Sequence, residues 1–168
     1  MLVDCVEQCP DDLWASPNPR CDDGDRIIFR AFWRIAFHTT FFTHLYLGQN
    51  EAAFQPAPAH LAVRQRDDLD AMWQAPWDIE PYELPEFAGP SSKQDILDYI
   101  AFIKTLIDTT VDSLDLESNE SGFSWYKNIS KLSHQLLNLR HIQGHVGQLS
   151  ELLFARNIDT GWVSQGQR

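Results

Sequence analysis

Residues 131–153 read KLSHQLLNLRHIQGHVGQLSELL. Apolar residues recur there at steps of three and four, through Leu132, Leu136, Leu139, Ile142, Val146, Leu149 and Leu153. A second flank carries Leu137 and Leu152. Such steps bring side chains onto one face of an α-helix. The spacing predicts a helix over about residues 129–155, roughly 40 Å long at about 1.5 Å per residue. A helix apolar on two flanks should pack against several partners. His141 and His145 stand four residues apart within it. That step turns the helix by about 40°, so both imidazoles leave the same face and can reach one metal ion.

Three more helices surround this one in the sequence. A short first helix is expected from Leu2 to Cys9, ended by Pro10 and the run SPNP at Ser16 to Pro19. After the turn CDDGD at Cys21 to Asp25, a second helix is expected from Arg26 to Leu47, with Asp25 as N-cap and Gly48 as its stop. Ile28, Ala31, Ile35, His38, Phe42 and Leu45 form its inward stripe. Residues 50–91 read as a long connection broken by Pro56, Pro58, Pro76, Pro81, Pro85 and Pro90, with a short helix around Leu61 to Trp73. A loop of that length tends to be functional or to cover something. The third helix starts at SSKQD, where Ser92 and Asp95 make a capping box, and runs to about Leu116. Its stripe is Ile96, Ile100, Ile103, Ile107 and Leu114. Glu117 to Gly122 reads as a polar loop.

Four helices with one long crossover, and neither β-alternation nor an internal repeat, predict an all-α protein. It is expected to be a four-helix bundle with a long connection between the second and third helices. The 168 residues fit a single domain, 1–168. A chain of that size buries a core without needing disulfides or zinc in order to fold.

A metal bound by His141 and His145 needs a third ligand, and His38 is the best placed. It sits in the apolar stripe of the second helix between Ile35 and Phe42, where a buried imidazole must find a partner. The alternative is a hydrogen-bonded core histidine, the commoner fate of a lone His on an apolar face. Three His from two facing helices would leave positions open for water or substrate, as catalytic sites do. His134, seven residues before His141, shares its face. It could touch the site or a substrate, although a polar surface role is the expected one. His44 falls off the stripe, and His60 lies in the proline-rich connection. Gly144 and Gly147 lie inside the helix at a cost of roughly 1 kcal/mol each, for which close helix packing is the expected reason.

The motif is HIQGH, so the glutamate that serves as base in HExxH proteases is missing, and neither GxSxG nor a phosphate loop occurs. The 13 Lys+Arg stand against 24 Asp+Glu, a net charge of -11. That field repels nucleic acid and acidic membrane surfaces. No stretch approaches the roughly 20 apolar residues of a membrane span. The start MLVDCVEQCPDDLW has acids and a proline where a signal peptide needs basic and then apolar residues, so a cytoplasmic protein is expected. Cys5, Cys9 and Cys21 are then free thiols.

These residues resemble a known family. The segment LRHIQGHVGQL at Leu139 to Leu149 is similar to a signature of the DinB-like (DNA-damage-inducible) metal-binding family. FWRIAFHTTFFTHLYLG at Phe32 to Gly48 resembles its other signature, and CPDDLW at Cys9 to Trp14 resembles its first helix. The resemblance implies a four-helix bundle with a three-His divalent metal site, Zn or Ni, held by His38, His141 and His145. It implies a homodimer, and a low-molecular-weight thiol or other small molecule as substrate of a thiol S-transferase or related hydrolase. A non-catalytic metal-binding or stress-response protein is the alternative. The chain departs from the family pattern in its short first helix and its long proline-rich connection. A surplus of aromatics, 10 Phe, 6 Trp and 4 Tyr, also favours a dimer. Phe29, Trp33 and Phe37 are its expected surface unless Trp73 and Trp77 fold back over them.

Overall fold

The computed structural model describes residues 1–16, 31–55, 57 and 91–161. All regular structure among them is helical: α1 (Leu2–Gln8), α2 (Asp11–Trp14), α3 (Phe32–Leu47), a 3-10 turn (Glu51–Ala53), α4 (Lys93–Asp112) and α5 (Lys131–Phe154). The second helix, expected from Arg26, begins only at Phe32, because Ala31 is extended and stands as its N-cap. The expected cap Asp25, the turn at 21–25 and the short helix at 61–73 lie outside the described residues, as do Cys21, Ile28, Phe29 and His60. No described helix is long and apolar enough to cross a membrane.

The helix ends follow local chemistry. Ser92 accepts from the Asp95 backbone N–H, and Asp95 accepts in return from the Ser92 backbone N–H, completing the expected capping box of α4. Ser130 caps α5 by accepting from the Ser133 N–H. Each such cap contributes about 1 kcal/mol. α4 ends four residues before the expected Leu116. Beyond Leu106 its apolar residues leave the core, so Ile107 and Val111 are exposed instead of continuing the stripe of Ile96, Ile100 and Ile103.

α1 and α3 each pack against both α4 and α5, and α2 packs on α3. The interior divides into two clusters. One joins α1 and α2 to the start of α3 and the end of α5, through Val6, Trp14, Phe32, Ile35, Ile100 and Leu149. The other gathers Phe42, Leu45, Tyr46, Tyr99, Ile103 and Phe123 at the far end of α3. Early residues of α3 and α4 share the first cluster and later ones the second, so these two helices run parallel. Consecutive parallel helices need a long crossover connection, which is the physical reason for the 50–91 segment.

Two expectations about faces need correction. α3 is not a helix with one inward stripe. Arg34, Thr39, Thr40 and His44 are buried along with Ile35, His38, Phe42 and Leu45, because α2, α4 and α5 enclose it. The N-terminal half of α5 is inverted relative to its apolar pattern. Leu132, Leu136 and Leu139 are 50%, 58% and 64% exposed, while Lys131, His134, Asn138 and His145 are buried. The reason lies in α3, whose C-terminal carbonyls have no intrahelical donors. Lys131 Nζ donates to the Gly48 carbonyl at 2.9 Å and to that of Ser121 at 2.6 Å. Gln135 Nε2 donates to the Tyr46 carbonyl at 2.7 Å. Burial pushes the Lys131 ammonium down to about 8, and its place over the Phe123 ring, 5.0 Å from the centroid, offsets part of the cost.

Gly122 closes the loop that meets Lys131. Its φ is +83°, and an added Cβ would strike the Gln49 carbonyl and lie 2.8 Å from Asn50 Cβ. Its own carbonyl accepts from the Glu51 N–H at 3.0 Å, pinning the end of α3. Gly122→Ala should therefore lower stability by about 3 kcal/mol, from left-handed strain plus backbone overlap. Urea unfolding measures this, and an unchanged midpoint would mean that the loop adapts freely.

Candidate metal centre

α3 carries His38 between the two hydrophobic clusters, one turn after Ile35 and one turn before Phe42. α5 brings His141 and His145 to the same level from the opposite side. His38 Nε2 lies 3.0 Å from His141 Nε2, and His145 Nε2 lies 3.0 Å from the same atom. The three side chains offer one nitrogen each, all within 4.8 Å of one another. Bonds of about 2.1 Å to one ion separate two nitrogens by about 3.0 Å at right angles and about 3.4 Å at the tetrahedral angle. The spacing fits three ligands on one face of an ion, so the three histidines lie close enough to bind a metal.

The tautomers sharpen the point. His145 Nδ1 donates to Gln148 Oε1 at 2.7 Å, which leaves Nε2 of neutral His145 as a lone pair. His141 Nε2 has one in-plane position, either a proton or a lone pair. It cannot satisfy both His38 Nε2 and His145 Nε2 with a hydrogen bond. One cation placed among three lone pairs satisfies all three. Burial, with the neighbouring His145 adding to it, pushes His141 down to about 4, so its imidazole is neutral and ready to ligate at pH 7.

Aromatic rings wall the cluster. Phe42 stands 4.7 Å from the His38 ring and 6.0 Å from that of His141, and Tyr46 stands 6.0 Å from His141. Burial holds the Tyr46 phenol well above its usual range, so it stays protonated. Gly144 and Gly147 do not mark a close crossing with another described helix: among the described residues an added Cβ would meet nothing within 4 Å.

His134 is not the surface residue its sequence position suggests. It is fully buried, stacked on Phe123 at 4.6 Å and flanked by Tyr46 and Tyr126 at 5.1 and 5.2 Å. Neither of its ring nitrogens has a hydrogen-bond partner among the described residues. The sequence signal was its step of seven from His141. His44 is also buried, with Nδ1 3.0 Å from the Tyr99 hydroxyl. Cys5 and Cys9 are buried thiols pushed upward by that burial, Cys9 to about 12, so they behave as small core residues.

Compared with protein-family models, curated proteins and solved structures, the chain matches none.

Proposed function

We propose that this chain is a DinB-like four-helix bundle in which His38, His141 and His145 hold one divalent ion, Zn or Ni, through their Nε2 atoms. The bound ion serves a metal-dependent thiol S-transferase or a related hydrolase. The observation that carries the reading is the double 3.0 Å approach to His141 Nε2, which hydrogen bonds alone cannot satisfy. The packing of α1 and α3 against both α4 and α5 supports the bundle. A bound divalent ion supplies Lewis acidity that lowers the pKa of a thiol or water and makes a nucleophile near neutral pH. The protein's part is to hold three imidazoles close enough together to share one ion, beside the rings of Phe42 and Tyr46.

The test loads the protein with Zn or Ni and supplies 2-mercaptoethanol with 1-chloro-2,4-dinitrobenzene. A carbon–sulfur bond forms, chloride leaves and the thiol proton passes to buffer. The expected rate depends on the metal and is lost in His141→Ala. A rate equal to that of the metal-free protein would overturn the transferase reading.

The proposed assembly is a homodimer, but not through the surface first expected. Trp33 is buried and Phe37 is half-buried, while Phe29 lies outside the described residues. The row Leu132, Leu136 and Leu139 on α5 fits a second copy better. It is apolar at steps of four and three, exposed, and set in residues 121–150, which contain neither Asp nor Glu. Two chains of net charge -11 can meet there without opposing carboxylates. Sedimentation should give twice the 19.3 kDa chain mass, and Leu136→Glu should give the single chain. A wild-type protein that sediments as one chain would exclude the dimer.

A further inference from the structure

The side chains that converge at the centre are imidazoles, neutral when they ligate. The outer partner of His145 is the amide of Gln148, in a place where metal sites commonly use a carboxylate. Of the two helices that present the ligands, α3 contains no Asp or Glu and α5 contains Glu151 alone, six residues beyond His145, although the chain carries 24 acidic residues. His38 and His145 are only 6% and 9% exposed. A divalent ion held here keeps its full charge, because three neutral ligands cancel none of it. Charge withdrawn from water without a counter-charge is costly.

Resting on the metal reading above, we infer that the centre takes a small singly charged anion as its exogenous ligand, bound directly to the ion, in preference to a neutral molecule. The class includes carboxylates, azide and thiolates. The protein supplies neutral donors and an amide outer partner, so the ligand brings the counter-charge. Gln148 then has a double part. It orients His145 through the 2.7 Å bond, and by being an amide it leaves the positive charge for the anion.

The experiment uses the full chain loaded with Co2+, whose visible bands report a change of ligand. Azide is added at constant ionic strength, with dimethyl sulfoxide as the neutral comparison. Saturable band changes are expected with azide and none with dimethyl sulfoxide. Gln148→Glu adds one negative charge beside His145. It should raise Co2+ affinity about tenfold, as a carboxylate outer partner does, and lower azide affinity about fivefold. Gln148→Leu removes the orienting bond without adding charge. It should lower Co2+ affinity about tenfold and leave the azide affinity of the loaded protein within about twofold of wild type, since no charge changes. Azide that leaves the bands of the loaded wild-type protein unchanged overturns the inference, because the chain's own carboxylates then balance the ion. Equal shifts of azide affinity in the two variants overturn it too, since orientation rather than charge would be at work. A protein that takes up no Co2+ in elemental analysis, before azide is added, overturns the metal reading and this inference with it.

Discussion

Replacing His141 by alanine should abolish stoichiometric metal binding. His141 Nε2 is the atom both other ligands approach, at 3.0 Å each, so its loss leaves His38 and His145 as a two-ligand remnant. Removing an outer partner of a metal ligand costs 10- to 100-fold in affinity. Loss of a ligand itself should cost more than about 100-fold. The fold should survive, because His141 is only partly buried and belongs to neither hydrophobic cluster. Competition with a chromophoric chelator measures the affinity, and circular dichroism reports the helices. Affinity within about threefold of wild type would remove His141 from the ligand set, being far below the cost of losing even an outer partner.

His134→Phe should stabilise the protein, and most strongly in acid. His134 is fully buried with no hydrogen-bond partner for either nitrogen among the described residues, a cost of about 1–3 kcal/mol that phenylalanine avoids in the same aromatic surroundings. Burial, with the Lys131 charge adding to it, pushes the folded imidazole down to about 4 from an ordinary 6.5. Between those values the unfolded chain binds a proton that the folded chain does not. Wild-type stability therefore falls as pH drops from 6.5 toward 4, by on the order of 3 kcal/mol from this group. Above pH 6.5 both states are neutral and the group adds no pH dependence. Urea unfolding at pH 7 and pH 4.5, without added metal, should show the variant's margin over wild type widening in acid. Equal margins at the two pH values would mean that His134 protonates in the folded state as readily as in the unfolded one.

The sequence made some of this legible for definite reasons. Ser92 and Asp95 announce the start of α4 because capping is a local interaction, complete within four residues. The bounds of α5 are legible because its 3–4 periodicity is unbroken. The three histidines could be singled out because a polar residue inside an apolar stripe, like His38 between Ile35 and Phe42, demands a partner. Other features depend on tertiary neighbours. The polarity of α5 could not be read from its own leucines. Lys131 and Gln135 are drawn toward α3 by carbonyls at Tyr46 and Gly48, which belong to a distant part of the chain. That pull turns Leu132, Leu136 and Leu139 outward. His134 was misplaced for the same reason: its position on the helix was evident, but the rings of Tyr46, Phe123 and Tyr126 that bury it come from two other segments. α3 gave the pattern of a one-sided helix because aromatic and threonine positions between the stripe residues do not reveal how many neighbours enclose them.

The most direct test of the account is X-ray absorption at the metal edge of the purified protein, paired with elemental analysis. The account predicts one Zn or Ni per chain. The ion should be bound by about three imidazole nitrogens near 2.1 Å, with one exogenous donor completing the set. A chain that binds no ion in stoichiometric amount, or an ion surrounded by sulfur or carboxylate oxygen with fewer than three imidazoles, would contradict it.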